Sequence, residues 1–351
     1  MRIVWHRGDL RLHDHAGVAN SDGVGVVILD ENILNATSIR RRAWFAENVR
    51  ALRRAYHTRG GKLIVRSGVP WVEIPKVCKE IQATEVHALR SYTPYGRTRD
   101  AKVKGVTWHG GCYVHEPGTI QRPGGHGYSV FTPYFKRWSS LPIPTSVEAP
   151  ARFSSSKVTI DEGEIPSFES DVLLPNPGED AAIAALDEFA QTRLERYEGD
   201  RNRLDGSGGS RLSHYISIGV LSPRFALHRL REMNLDGYQR WMSEVAWRDF
   251  MADLLWQRPS LIKRAYDPKW ENLPWQDDET SFESWRLGRT GYPVVDAAMR
   301  ELRTTGFISN RARMIAAQFL AKILMVPWQK GESVFKNWLL DGDTAQNVGG
   351  W

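Results

Sequence analysis

VGVVILD, residues 24–30, is a short β-branched run with the turn residues Ser21, Asp22 and Gly23 just before it. Its reading decides the first third of the chain. RIVWH (2–6) upstream, and KLIVRSG (62–68) and EVHALR (85–90) downstream, have the same texture. Between them, SIRRRAWFAENVRALRRAYHTRG (38–60) and PWVEIPKVCKEIQAT (70–84) read as helices. Strand alternating with helix predicts a parallel sheet with helices on both faces, because parallel neighbours need a crossover. No G-x-G-x-x-G follows the first strand, so the usual dinucleotide fingerprint is absent.

The texture then changes twice. Nine of the 18 prolines fall between Glu116 and Pro177, with Gly and Ser clusters such as RPGGHG and FSSSK. This predicts a long connector draped over the protein. After Gly178 the apolar residues recur at three- and four-residue spacing, as in EDAAIAALDEFAQTRLERY, SPRFALHRLREM, YQRWMSEVAWRDFMADLLWQ, YPVVDAAMREL and NRARMIAAQFLAKILM. The expected layout is an α/β N-terminal domain with a doubly wound parallel sheet (1–115), a connector (116–178) and an all-α domain (179–351).

Composition narrows the function classes. The 351 residues are 41% hydrophobic, enough for a substantial core and against global disorder. Net charge is +6 and pI about 9.3, and 35 of the 47 basic residues are Arg. Arg suits planar, bidentate partners such as phosphate and carboxylate, so a polyanion is a natural partner. Cys78 and Cys112 fit no metal or redox spacing and read as two reduced thiols. MRIVWHRGDLRLHDH is charged throughout and is no signal peptide, and no apolar run is long enough to span a bilayer. A cytoplasmic setting is expected, with no membrane, no metal and no protein partner in view. Nine of the 14 Trp lie between Trp241 and Trp351, a skew toward the helical half.

Four motifs there could carry chemistry, and each has a plainer reading beside it. In WMSEVAWRDF, Trp241, Glu244, Trp247 and Arg248 fall on one broad helix face, which could equally be core indoles beside a surface ion pair. SNRARM opens a helix after Gly306 with Ser309 as N-cap, and its Arg residues oppose the helix dipole unless an anion lies near. GGSRLS, ending at Ser213, could cradle phosphate or simply cap a helix. The carboxylates of Asp341 and Asp343 could bind magnesium, form a turn, or accept hydrogen bonds from a ligand and pair with the Arg of SNRARM.

In combination, WHRGDLRLHDH, GSRLSHYISIGVLSPR, WMSEVAWRDF, TGYPVVDAAMRELRTTGFISNRARM and DGDTAQN resemble the photolyase/cryptochrome family across the whole chain, least so in the connector. The subgroup most resembled is the bacterial class I enzymes that repair cyclobutane pyrimidine dimers, especially short Thermus-like ones. The resemblance implies the photolyase/cryptochrome fold and a helical domain that holds FAD in a U shape. It implies that Tyr197 and the segment Gly209, Ser210, Arg211, Leu212 and Ser213 line the FAD phosphates. Gly209 stands where some members have Thr. It places Trp241 and Arg248 on one FAD wall, Asn310, Arg311 and Arg313 opposite, and Phe307 where some relatives carry Trp. Asp341 and Asp343 would meet the polar edge of the flavin, and Asn347 would lie near N5. Asn at that place goes with repair enzymes and Asp with plant cryptochromes.

The implied reaction is light-driven. Reduced, deprotonated FAD passes an electron to a flipped-out dimer in damaged DNA, the cyclobutane ring splits, and the electron returns. Trp247 would stack on the dimer, Glu244 would hydrogen-bond to a base edge, and Met314 would flank it. Asn310 and Asn347 complete the implied catalytic set. Arg201 and Arg311 are candidate phosphate contacts. Trp351, Trp328 and Trp275 match a family relay that reduces the flavin in light, while burial of Trp328 offers a packing role instead.

Two departures stand out. YTPYGRTRD (92–100) replaces the Asn-Glu pair of folate-binding members. Folate is therefore disfavoured as antenna, leaving a flavin or deazaflavin, or none. Family chains also continue past GGW, so the expectation is a fragment or a truncated member. The rival reading is a cryptochrome-like blue-light sensor, which Asn347 and Met314 argue against. A second rival is a helical nucleic-acid-binding protein without flavin.

Overall fold

The computed structural model describes residues 1–154 and 159–351; Ser155, Ser156 and Lys157 of the FSSSK cluster lie outside the described residues. Five strands form one sheet: β1 (Arg2–His6), β2 (Val24–Leu29), β3 (Lys62–Ser67), β4 (Glu85–Leu89) and β5 (Val106–His109). Their order is β3-β2-β1-β4-β5 and every pairing is parallel. The sequence reading has four of these strands. The fifth, VTWH, is short and half-exposed, without the apolar run that marks the others.

Alternation along the strands explains why both faces are covered. Ile3, Trp5, Val24, Val26, Ile28 and Ile64 pack with Ile74 and Val77 of the Pro70–Glu80 helix. Their neighbours Val4, Val27, Leu63 and Val65 point the other way, onto Trp44, Val49, Leu52 and Tyr56 of the Ile39–Thr58 helix. This second face does not stop at the end of the α/β half. Its cluster runs on through Leu186, Phe189, Leu227, Trp241 and Phe250 of the helical half. The two halves therefore share one core.

Residues 7–15 pin that junction. The buried Arg11 guanidinium donates to the carbonyls of Asp14, Gly111 and Gly219 at 2.8–3.0 Å. Asp14 takes a two-pronged ion pair from Arg224 at 2.8 and 3.0 Å. Gly219 has φ +66°, and a Cβ there would meet the Gly8 carbonyl at 2.3 Å, so only glycine permits this approach.

The connector differs from the sequence reading in one respect: it contains a helix, Phe131–Ser139. Its aromatic residues Phe131, Tyr134, Phe135 and Trp138 pack on the long Tyr238–Gln257 helix. Trp138 Nε1 donates 2.9 Å to the buried Asp249 carboxylate, which also takes the N–H groups of Val114 and His115. Further along the connector, Glu162 is bonded to His57 and the Leu63 N–H of β3.

The Tyr238–Gln257 helix is buried on most of its circumference, as a central helix must be. A third cluster, built on Trp285, Met299, Leu302, Leu320 and Phe335, joins the remaining helices. Among the described residues no helix is long and apolar enough to cross a membrane.

Candidate functional site

The helical half encloses a cavity of about 670 Å³, within the range of cofactor sites. Four stretches distant in sequence converge on it: 197–223, 240–251, 307–317 and 341–351. Of the residues singled out from sequence, Tyr197, Gly209, Ser210, Arg211, Ser213, Trp241, Glu244, Trp247 and Arg248 line it. So do Arg201, Phe307, Asn310, Arg311, Arg313, Met314, Asp341, Asp343, Asn347 and Trp351. Leu212 does not. It is buried in the core beneath its neighbours.

The two aspartates of DGD have separate tasks. Asp341 is buried, and its Oδ2 accepts from Ser213 Oγ at 2.5 Å and from Arg313 Nη2 at 2.6 Å. Its Oδ1 has no partner. Burial opposes ionisation, but the Arg313 charge and the two hydrogen bonds outweigh it and hold the carboxyl below its ordinary value. Asp343 caps the Thr344–Gly350 helix, accepting from the Gln346 N–H at 3.0 Å. The pairing of DGD with the Arg of SNRARM was legible in the sequence and falls to Asp341; the helix cap made by Asp343 was not read there.

Arg313 starts from the Asn310–Gln318 helix, which Ser309 caps through the Ala312 N–H at 3.3 Å, after Gly306 ends the preceding helix at φ +72°. The Asp341 carboxylate supplies the anion that this Arg-rich first turn calls for. Arg211 and Arg313 both stand over the Phe307 ring, at 5.6 and 5.9 Å. Arg311 bonds Asn202 at 3.0 Å and remains exposed, as does Met314, whose sulfur lies 3.8 Å from Asn310 Nδ2.

The opposite wall is the Tyr238–Gln257 helix. Glu244 is held by two cations, Arg201 at 2.9 Å and Arg240 at 2.8 Å. Arg201, a candidate phosphate contact, is thus a carboxylate partner here. Trp247 stacks on Phe131 of the connector helix, centroids 3.8 Å apart and planes within 10°. Arg248 donates to the Cys112 carbonyl at 2.8 Å and lies 4.4 Å over Tyr113, both from the α/β half. Burial works against its charge, but Tyr113, Asp343 and Asp249 outweigh it and raise its affinity for the proton.

Sequence reasoning missed Phe131, Arg240 and Glu332. Asn347 Nδ2 donates to Glu332 Oε1 at 2.7 Å and to its carbonyl at 3.2 Å. The aromatic residues of VFTPYFKRW recur at helical spacing and could have revealed the connector helix. The Glu332 contact left no comparable mark. Trp351 packs edge-on against Phe335 at 5.1 Å and Trp285 at 6.4 Å. Trp328 and Trp275 are half-buried and do not line the cavity. Their segments meet, since Gln276 N–H donates 2.7 Å to the Met325 carbonyl.

This donor set fits FAD. Six arginines and three carboxylates line the cavity, a positive balance that suits a pyrophosphate. The unpartnered Asp341 Oδ1 offers an acceptor to a ring N–H or ribose hydroxyl. A Cβ on Gly350 would meet nothing within 4 Å, and one on Gly209 only the Gly206 carbonyl oxygen at 3.8 Å, so a ligand can approach the backbone there. Asp341 and Asp343 join no group of three candidate metal ligands among the described residues. The one His/Asp trio with metal-ligand geometry among the described residues, His6, Asp9 and His15, lies in the α/β half. Its ring nitrogens are already engaged by Tyr56, the Asp9 carbonyl, the Asp9 carboxylate and the Val18 N–H.

Comparison with known proteins agrees with this geometry. Residues 2–151 match the DNA photolyase family, and residues 241–351 match the FAD binding domain of DNA photolyase. The deoxyribodipyrimidine photo-lyase of Thermus thermophilus is 48% identical over 353 residues, covering 99% of this chain and 83% of that protein. The crystal structure of a bacterial class III photolyase from Agrobacterium tumefaciens superposes with a TM-score of 0.93 at 30% identity, covering 99% of this chain and 78% of that one. A Synechocystis cryptochrome superposes with a TM-score of 0.90 at 28% identity, covering 99% and 80%. The parallel sheet, the helical FAD-binding half and a near full-length relative agree, and the chain belongs to the DNA photolyase family.

Proposed function

We propose that this chain repairs cyclobutane pyrimidine dimers in DNA, using light absorbed by FAD held in the 670 Å³ cavity. The observation that carries the reading is the convergence of all four motifs on one cavity, with Trp247, Glu244 and Met314 at its lining beside the Asp341–Arg313 pair. The chemistry supplied by bound, reduced FAD is light absorption and one-electron donation.

The remaining tasks fall to the chain. Arg211, Arg248 and Ser210 would hold the phosphates, with Tyr197 beside them, while the Ser213 hydroxyl stays with Asp341. Asp341, kept ionised by Arg313, would accept hydrogen bonds from the polar edge of the ring. Asn347, its amide nitrogen committed to Glu332, presents its carbonyl oxygen as acceptor. The lesion would enter on the Trp247 side. Flipping a damaged, poorly stacked base costs only about a few kcal/mol. Trp247, braced from behind by Phe131, offers the flipped dimer a fixed flat surface. Glu244, oriented by Arg201 and Arg240, meets a base edge with its charge already balanced. Arg311 reaches DNA phosphate, as would Arg201 on exchanging its partner. Trp351, Trp328 and Trp275 would relay electrons to the flavin.

In this reading residues 1–115 form the antenna-type domain, 116–178 the connector and 179–351 the FAD domain. An antenna, where bound, would be a flavin or deazaflavin. The likeness to a cryptochrome supports a second reading, a blue-light sensor with little repair. One experiment separates them. A duplex carrying a single thymine cyclobutane dimer, and another carrying a (6-4) product, are irradiated with blue light in the presence of FAD-loaded protein. Loss of the cyclobutane lesion alone supports repair. Loss of neither favours the sensor, and loss of the (6-4) product alone reverses the lesion assignment.

A further inference from the structure

The cavity wall formed by residues 341–351 is held from outside the helical half. The Ile39–Thr58 helix of the α/β half begins with Arg40, Arg41 and Arg42. Arg40 is buried, grips Asp171 with two bonds at 2.6 and 2.7 Å, and donates to the carbonyls of Arg303 at 2.6 Å and Trp338 at 3.1 Å. Those carbonyls end two helices, where a cation belongs. Arg41 reaches further along the same strand of chain. Its Nη1 donates to the Gly342 carbonyl, the middle residue of DGD. A Cβ on Gly342 would sit 2.8 Å from that nitrogen and press on the guanidinium. Asp343, Asp341 and Glu332 all lie within its electrostatic reach, and its buried Nε has no partner. No single carboxylate claims it. It stands as a shared counter-charge beneath three acids of which two, Asp341 and Asp343, face the cavity.

We propose that Arg41 is a positioning residue for the flavin site: through Gly342 and the surrounding acids it sets the place of the DGD loop, making the α/β half a working part of the cavity wall. This rests on the flavin reading above. Two consequences follow from the geometry. Removing the guanidinium frees the Gly342 carbonyl and leaves Asp341 to Arg313, Asp343 to Arg248 and Glu332 to Lys336. The loop then repositions, and the ring edge meets Asp341 at a different angle.

The test compares Arg41→Gln and Arg41→Lys with Arg50→Gln in the full chain. Arg50 leaves the same helix but bonds the connector carbonyls of Ile165 and Pro166, so its loss controls for general loosening. Three readouts are taken: FAD Kd after reconstitution of flavin-stripped protein, visible circular dichroism of the bound flavin, and amide hydrogen exchange of residues 340–347 without flavin. Arg41→Gln is expected to raise Kd about tenfold, alter the flavin band and speed exchange in that segment. Arg41→Lys recovers most of the affinity because charge and reach are kept. Arg50→Gln binds FAD like the unaltered chain. Wild-type Kd and wild-type exchange in Arg41→Gln, or an equal affinity loss in Arg50→Gln, overturns the proposal. If the unaltered chain takes up no FAD, the flavin reading itself falls, and the exchange comparison alone still decides whether Arg41 holds the loop.

Discussion

Replacing Asp341 with Asn removes one charge from the cavity wall and little else. The side chain keeps its volume and one oxygen for Ser213. Arg313 keeps its position but faces a neutral partner instead of the carboxylate now 2.6 Å away. Breaking a buried ion pair from one side costs about 3–5 kcal/mol, because the remaining charge is left uncompensated. Arg313 retains a quarter of its side-chain exposure, and water takes part of that load. The expected loss at neutral pH is therefore roughly 2–3 kcal/mol. The pH dependence has a definite sign. The Asp341 carboxyl sits below its ordinary 3.8 in the folded chain. A depressed folded value contributes stability above the unfolded value, and that contribution fades as pH falls through the folded one. The deficit of Asp341→Asn should accordingly be full above about pH 4 and shrink in more acid solution. Urea unfolding of the wild type, Asp341→Asn, Arg313→Met and the double variant across that range gives the coupling energy directly. A deficit that is flat with pH, or a coupling below about 0.5 kcal/mol, would refute the reasoning.

Glu244→Ala should slow repair per absorbed photon more than it weakens binding to undamaged duplex, since the carboxylate faces the lesion side; equal losses in both assays would make it a bracket for Arg201 and Arg240. Trp351→Phe should block flavin photoreduction while repair by chemically reduced protein persists, and normal photoreduction would remove the relay assignment. Gly331→Ala should mimic it, because a Cβ there would fall 2.2 Å from the Trp351 ring and force the indole aside. Burial pushes the Asp249 carboxyl up to about 7 against the donors that surround it. A raised folded value means stability is greatest in acid and declines between about pH 4 and 7, so Asp249→Asn should flatten urea-midpoint profiles across that window. An unchanged slope would show that Asp249 stays ionised.

What the sequence disclosed depended on whether the signal was local. β1 to β4 carry dense apolar runs and were legible. The short VTWH of β5 has Thr107 exposed and no such run. Pro and Gly counts marked the connector but hid its helix, although Phe131, Tyr134, Phe135 and Trp138 spell one at three- and four-residue spacing. In the site, motif residues nearly all reach the cavity because each motif is a helix start, a cap or one helix face. Leu212 faced inward because its neighbours, not it, turn toward the opening. Arg41 was illegible for a physical reason. Its partner Gly342 lies 301 residues away, and nothing in a run of three arginines tells which one will reach a distant loop. The same holds for Phe131 behind Trp247, 116 positions apart by their numbers.

The most direct measurement is repair itself, in the chain stripped of flavin and then reloaded. Protein freed of FAD, the same protein reconstituted with one equivalent of FAD and chemically reduced, and a reconstituted Arg313→Leu variant are each mixed with a thymine-dimer oligonucleotide, in darkness and under blue light. Dimer loss is expected only in the reloaded wild type and only in light, with the Arg313→Leu variant taking up less FAD and repairing in proportion to what it holds. A reloaded wild type that binds FAD but leaves the dimer intact under illumination would contradict the proposed repair.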